Sequence, residues 1–227
     1  MLYSLAEMLS WRARTGGKEA MVTDMLFDLR SRHLTYLSLA VDGPPGGQAL
    51  AAASRMGPPD MEARALPLEI SEEELARAPH WDGGDTAQLD ALMLAMPPLV
   101  VGPFGATHAP LAMASYAAGQ AEPQDDDPRA TEALDRYERL TRWLGGPVFA
   151  RDGEVGSLSD LLFDFEANRI NYLIVDNGKF FGHQQRALPF TALAHRAPGA
   201  KGGHLVLDLS QAEVEAAPEA QTVISDA

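Results

Sequence analysis

The sequence predicts a mainly β protein. Two small β-barrels stand in tandem, each followed by a short helix, with a further helix leading into the second barrel. Three observations carry this expectation: an internal duplication, short apolar runs separated by turn residues, and the same helix-start signal after each copy. Asp24-Met25-Leu26-Phe27-Asp28 is answered 136 residues later by Asp160-Leu161-Leu162-Phe163-Asp164, and Tyr36-Leu37 by Tyr172-Leu173. Leu66 to Ser71 is answered by Leu205 to Ser210 at an offset of 139. A duplication on this scale means one fold made twice. A module of roughly 80 residues lies near the lower limit for a self-sufficient core, so pairing of the two copies within the chain would support both.

The second copy gives the element order. Pro147–Ala150 reads as a short strand, and Arg151-Asp152-Gly153 as a turn with the Asp-Gly hairpin signal. Glu154–Asp164 reads as a longer strand in which Gly156 marks a bulge or sharp bend. After a turn at 164–168, Arg169–Asp176 returns as a buried strand. Asn177-Gly178 is expected to close another hairpin, Phe180–Phe190 to continue the meander, and His204–Leu209 to form the last strand. Ser71-x-x-Glu74 and Ser210-x-x-Glu213 are capping boxes that start short helices stopping near Pro79 and Pro218.

Between the copies, residues 83–128 hold ten Ala, five Gly and six Pro. A short helix is expected there with Leu89, Leu92, Met93 and Met96 on one face, then linker ending in Asp125-Asp126-Asp127-Pro128. From Pro128, the three- and four-residue steps of Ala130, Ala133, Leu134, Tyr137, Leu140 and Leu144 predict a helix that Gly145-Gly146 stops. The expected division is therefore 1–82 for the first domain, 83–127 for an acidic linker, 128–219 for the second domain and 220–227 for a tail.

The net charge of −14 is spread as −4 on 1–82, −6 on 83–128 and −4 on 129–227, with no run of Lys and Arg. Direct nucleic-acid binding is not expected, because phosphate affinity comes mainly from cations. Docking on anionic lipid by charge alone fits poorly too. The absence of cysteine removes disulfides, thiolate nucleophiles and Cys-ligated metals. No leader segment is apparent at Met1–Glu7, and the most apolar run, Leu89–Phe104, is too interrupted to span a membrane. A cytoplasmic protein is the expectation.

These strings closely resemble the PRC-barrel signature. Gly146-Pro147-Val148-Phe149, Asp152-Gly153-Glu154-Val155-Gly156, Ser159–Asp164, Arg169–Asp176 and Leu188-Pro189 carry the likeness in the second copy. The first copy departs from it, because Thr15-Gly16-Gly17-Lys18-Glu19-Ala20 stands where Asp152–Gly156 does. Asp127-Pro128 and the Ser-led tails ending at Pro79 and Pro218 are similar to a tandem form of the family. The family is named after the cytoplasmic domain of the photosynthetic reaction centre H subunit. The resemblance implies a non-enzymatic protein-binding or assembly module, serving a membrane or photosynthetic complex from the cytoplasmic side and peripheral to the inner membrane. It leaves two alternatives: an H-subunit-like role in electron or proton transfer, and a ribosome-maturation adaptor. A homo-oligomer stays open.

Few residues stand out as candidate sites. Asp24/Asp28 and Asp160/Asp164 recur four residues apart, on one strand face. Such a pair binds a cation or relays protons in some proteins; at strand ends, Asp more commonly holds turn amides, and that is the expected role. Tyr36 and Tyr172 occupy equivalent strand positions and are expected as core rings. The six histidines show no ligand spacing, and the Asp125–Asp127 run lacks a calcium-loop pattern. Leu92–Val101, with its two methionines, is expected to cover a barrel face or the seam between the two copies. No catalytic, cofactor-binding or metal-binding residues are expected, and the protein is read as not an enzyme.

Overall fold

The computed structural model describes residues 1–40, 47–78, 80–81, 137–178, 184–197 and 203–225. In chain order the first half supplies β1 (Leu2–Ser4), α1 (Leu5–Met8), β2 (Arg12–Thr15), β3 (Lys18–Asp28), β4 (Leu34–Ala40) and β5 (Gln48–Ala52). A 3₁₀ turn at Ala53–Arg55, β6 (Ala65–Leu68), α2 (Glu72–Arg77) and β7 (His80–Trp81) follow. The second half supplies β8 (Tyr137–Arg139), α3 (Leu140–Trp143), β9 (Pro147–Ala150), β10 (Gly153–Asp164), β11 (Arg169–Asp176) and β12 (Gln185–Pro189). It ends with a 3₁₀ turn at Phe190–Ala192, β13 (Leu193–Ala197), β14 (His204–Leu207), α4 (Gln211–Ala216) and α5 (Ala220–Ser225). The protein is mainly β with short helices, in two sheets.

One sheet runs β6-β2-β3-β4-β5-β7, and the other β14-β9-β10-β11-β12 with β13 beyond β14. Five strands therefore recur in the same order in both. The parallel pairing recurs as well: Ala13 lies opposite Leu66 in one sheet and Val148 opposite Leu205 in the other. A hydroxyl repeats too. Thr23 Oγ1 donates to the Ser38 carbonyl at 3.1 Å, and Ser159 Oγ to the Ile174 carbonyl at 3.1 Å.

The compact units are not contiguous halves. Met1–Met8, Ser31–Leu34 and Arg139–Ala227 form what we term the C-terminal unit; Leu9–Arg30 and Thr35–Glu138 form the N-terminal unit. The division expected at 82/83 and 127/128 differs from this because each sheet takes a strand from the other half of the sequence. β8 pairs with β3 in the N-terminal unit, and β1 pairs with β10 in the C-terminal unit. In the latter, β9 pairs with Gly153–Ser157 and then leaves. β1 takes up the vacated edge, with Leu2 opposite Asp164, Tyr3 opposite Phe163 and Ser4 opposite Leu162. Leu161, Leu162 and Phe163 are buried in succession, as are Met25, Leu26 and Phe27. Strict alternation fails in both stretches, because each strand is covered on both faces.

Three other expectations change. Residues 137–139 are a strand, and only Leu140–Trp143 are helical, so the helix predicted from 128 to 144 is one turn long where it is described. The apolar steps at Tyr137 and Leu140 reflect burial in two different elements; residues 128–136 lie outside the described ones. Asn177-Gly178 does not close a two-residue hairpin, since Asp176 pairs with Gln185 across a longer connection. Residues 220–225, expected as tail, form α5. Ala220 is buried with Leu162, Ile174 and Ala187, and Val223 packs against them. The expected Met-rich cover at 92–101 falls outside the described residues.

Candidate interaction surface

The recurring carboxylates are best read through the amides they hold. Asp24 and Asp160 lie inside their strands, whereas Asp28 and Asp164 end them. Asp28 Oδ1 accepts the Arg30 N–H at 2.8 Å, and Asp164 Oδ1 accepts the Ala167 N–H at 3.2 Å, so both brace the turns that follow. Asp24 Oδ1 accepts the Met25 N–H at 2.8 Å, and Asp160 Oδ1 accepts the Leu161 N–H at 2.7 Å. Asp160 also receives the Ala6 N–H at 2.8 Å, from the first turn of α1. Its job is to fasten the segment that carries β1. Burial holds its carboxyl above the usual carboxylate range, against the opposing effect of the Ser4, Ala6 and Leu161 hydrogen bonds. Among the described residues, no cluster of three His, Asp or Glu is placed to hold a metal ion.

The two tyrosines occupy matched registers, Tyr36 opposite Ala52 and Tyr172 opposite Pro189. Tyr36 is buried, and that burial pushes its phenol up to about 12. Tyr172 is half-buried and packs with Leu2 against the Leu162, Ile174, Ala187 and Ala220 cluster. Tyr36 is a core ring, whereas Tyr172, expected in the core as well, lies at its margin.

Sequence reasoning passed over two other groups. Ser4-Leu5-Ala6-Glu7 repeats the Ser-x-x-Glu spacing of the capping boxes, and the Glu7 N–H donates to Ser4 Oγ at 3.0 Å. The spacing was legible; its shortness as a helix hid it. The Arg151–Asp152 turn also docks on α4. The Gln211 N–H donates to Asp152 Oδ1 at 2.7 Å, and Gln211 Nε2 to the Glu154 carbonyl at 3.0 Å. Arg151 pairs with Glu213 at 2.9 Å and lies 3.7 Å from Asp208. The Ser210 backbone N–H, the Ser210 hydroxyl and Arg151 together draw the Glu213 carboxyl down to about 2. No sequence pattern signals a turn-to-helix contact of this separation.

Among the described residues, a hollow of about 230 Å³ is lined by Gln184, Gln185, Glu219, Ala220 and Gln221. That is below the roughly 300–1,000 Å³ of typical small-molecule sites, and its side chains are amides and one carboxylate. Among the described residues, the large exposed apolar side chains are Met1, Met21, Met61 and Ile224.

The sheets and amide-holding carboxylates define a duplicated, mainly β scaffold whose recurring polar residues serve the fold. Residues 135–205, just under a third of the chain, match the PRC-barrel domain family. The match covers β8 through the first residues of β14. No curated protein matches the chain.

Proposed function

We propose that this protein is a non-enzymatic binding or assembly module of tandem PRC-barrel type, docking a protein partner that belongs to a membrane or photosynthetic complex. The match of residues 135–205 to the PRC-barrel domain supports this most, because such domains are often protein-interaction modules. The N-terminal sheet supports the tandem reading, since it repeats the five-strand order and the parallel pair of the matched region. The chemistry of the surface points the same way. The recurring carboxylates are engaged with amides. No described helix is long and apolar enough to cross a membrane.

The test is affinity capture of the tagged full chain from native cells after cross-linking, with membrane and ribosome fractions analysed in parallel. A defined partner cross-linked to the described sheets and recovered with membranes is the expected result. Recovery with ribosomes, or turnover of a small molecule by the purified chain, would overturn the reading.

A further inference from the structure

We propose that the outer edge of β13 is a strand-docking site, and that its occupant is an extended acidic segment of a partner protein. This rests on the binding-module reading above and names the surface and the chemistry of the partner.

The two copies treat the same edge in opposite ways. Met56 lies opposite Leu68 and Asp60 opposite Ala65. Leu193 lies opposite Leu207 and Ala197 opposite His204. Leu68 and Ala65 answer Leu207 and His204 at the offset of 139, so residues 56–60 and 193–197 hold the same place. Pro58 and Pro59 therefore stand where His195 and Arg196 do. Proline has no N–H, and it blunts a sheet edge against an added strand.

The second copy carries no proline within β13 before its last residue, Ala197. β13 ends its sheet and, among the described residues, pairs with β14 alone. A bulge at Ala194 opens the strand, and His195, Arg196 and Ala197 then follow in regular register opposite Val206, Leu205 and His204. Ala194 and His195 are exposed. Alternate residues of an antiparallel strand turn their N–H and C=O groups away from the neighbour already paired, so an outer edge offers main-chain donors and acceptors. An extended peptide completes such groups, and a nucleic acid does not.

Charge selects the occupant. Residues 177–207 contain Lys179, Arg186, Arg196 and Lys201 and no Asp or Glu, in a chain of net charge −14. Arg196 lies on β13 itself, and Lys201 falls between β13 and β14 in the sequence. Cations on an edge repel a second identical edge and attract a strand that carries carboxylates.

The test uses the full chain and two capped peptides, one alternating Glu and Val and one alternating Lys and Val. Amide hydrogen exchange is read residue by residue. In the chain alone, β13 should exchange faster than Leu205 and Val206 of β14, which have strands on both sides. The Glu/Val peptide should slow exchange at His195–Ala197 and lose this effect as salt is raised. The Lys/Val peptide should leave exchange unchanged. His195→Pro/Arg196→Pro, copied from Pro58-Pro59, should abolish binding of the Glu/Val peptide, read by anisotropy of a labelled form. Arg196→Glu should shift the preference toward Lys/Val. The proposal is overturned if β13 is already protected in the chain alone, or if both peptides or neither bind. It is overturned as well if the proline variant, shown folded by its unfolding midpoint, still binds. Where that variant does not fold, Arg196→Glu decides, and an unchanged preference overturns the proposal. A native partner cross-linked away from β13 would overturn this inference alone and leave the binding-module reading standing.

Discussion

The hairpins that open the two sheets share a frame and differ by one residue. In the N-terminal unit Ala13 faces Ala20, Arg14 faces Glu19 and Thr15 faces Lys18 without interruption, around a Gly16-Gly17 loop. In the C-terminal unit Glu154 faces Phe149 and Gly156 faces Val148, so Val155 is an extra residue bulged out of register. Gly156 takes a φ of 136°, and a methyl carbon there would stand 2.0 Å from the Asp176 carbonyl oxygen. Ala20, at the matching place, needs no such freedom. The Asp-Gly-x-x-Gly string that makes the second copy recognisable is thus the signature of a bulged hairpin. The first copy lacks it because its hairpin is regular. Divergence of a motif between repeats here reports a change of backbone geometry at one corner, with the strand order preserved on either side.

Reciprocal substitutions should break this comparison most sharply. Gly156→Ala is expected to cost on the order of 3 kcal/mol through strain and collision with backbone, read as a lowered midpoint in thermal or denaturant unfolding. Ala20→Gly should cost only about 0.5–1 kcal/mol, as flexibility gained by the unfolded chain. Equal losses would show that both hairpins have the same geometry.

The inner carboxylates come next. Asp24→Ala strips an acceptor from a nearly solvent-free site, and Asp160→Ala releases the Ala6 and Leu161 amides. Each should cost about 1–3 kcal/mol, and only the second should speed hydrogen exchange at Ala6. Asp160 has a raised folded pKa, so its contribution is present below the unfolded pKa and is lost as pH rises through the folded value. Asp160→Asn should flatten stability against pH in the window just above 3.8.

The helix caps should behave alike in the two units. Ser71→Ala and Ser210→Ala each remove a complete capping box and should each cost about 1 kcal/mol. Glu213 supplies the opposite pH sign to Asp160. Its folded pKa is depressed to about 2, so its contribution is present above the usual 4.5 and disappears as pH falls toward 2. A carboxyl-carbon NMR titration reads that value directly, and Arg151→Ala should move it upward. Least of all should be the effect on stability of removing an exposed ion pair. Arg151→Ala in one unit and Lys18→Ala in the other are each expected to change stability by no more than about 1 kcal/mol.

Local chemistry explains which features were legible beforehand. Gly156, both capping boxes and the Arg151-Asp152 turn announce themselves because their geometry is set within a few residues. The amide-holding role of Asp28 and Asp164 is local in the same sense. Tyr137–Arg139 misleads because its apolar spacing suits a helix, while its strand pairing comes from β3 more than a hundred residues earlier in the chain. Asp160 reads as an ordinary strand carboxylate until Ala6 is seen beside it.

By itself the sequence determined the repeat, the mainly β character, the sharp corner at Gly156 and the helix starts at Ser71 and Ser210. All of these follow from backbone preferences and short-range hydrogen bonds. Only the tertiary structure decided that residues 2–4 join the sheet of the second copy at β10 and residues 137–139 that of the first at β3. Strand-forming residues specify an extended backbone, but the partner is set by which edge is open and which apolar face is uncovered, and distant parts of the chain make those.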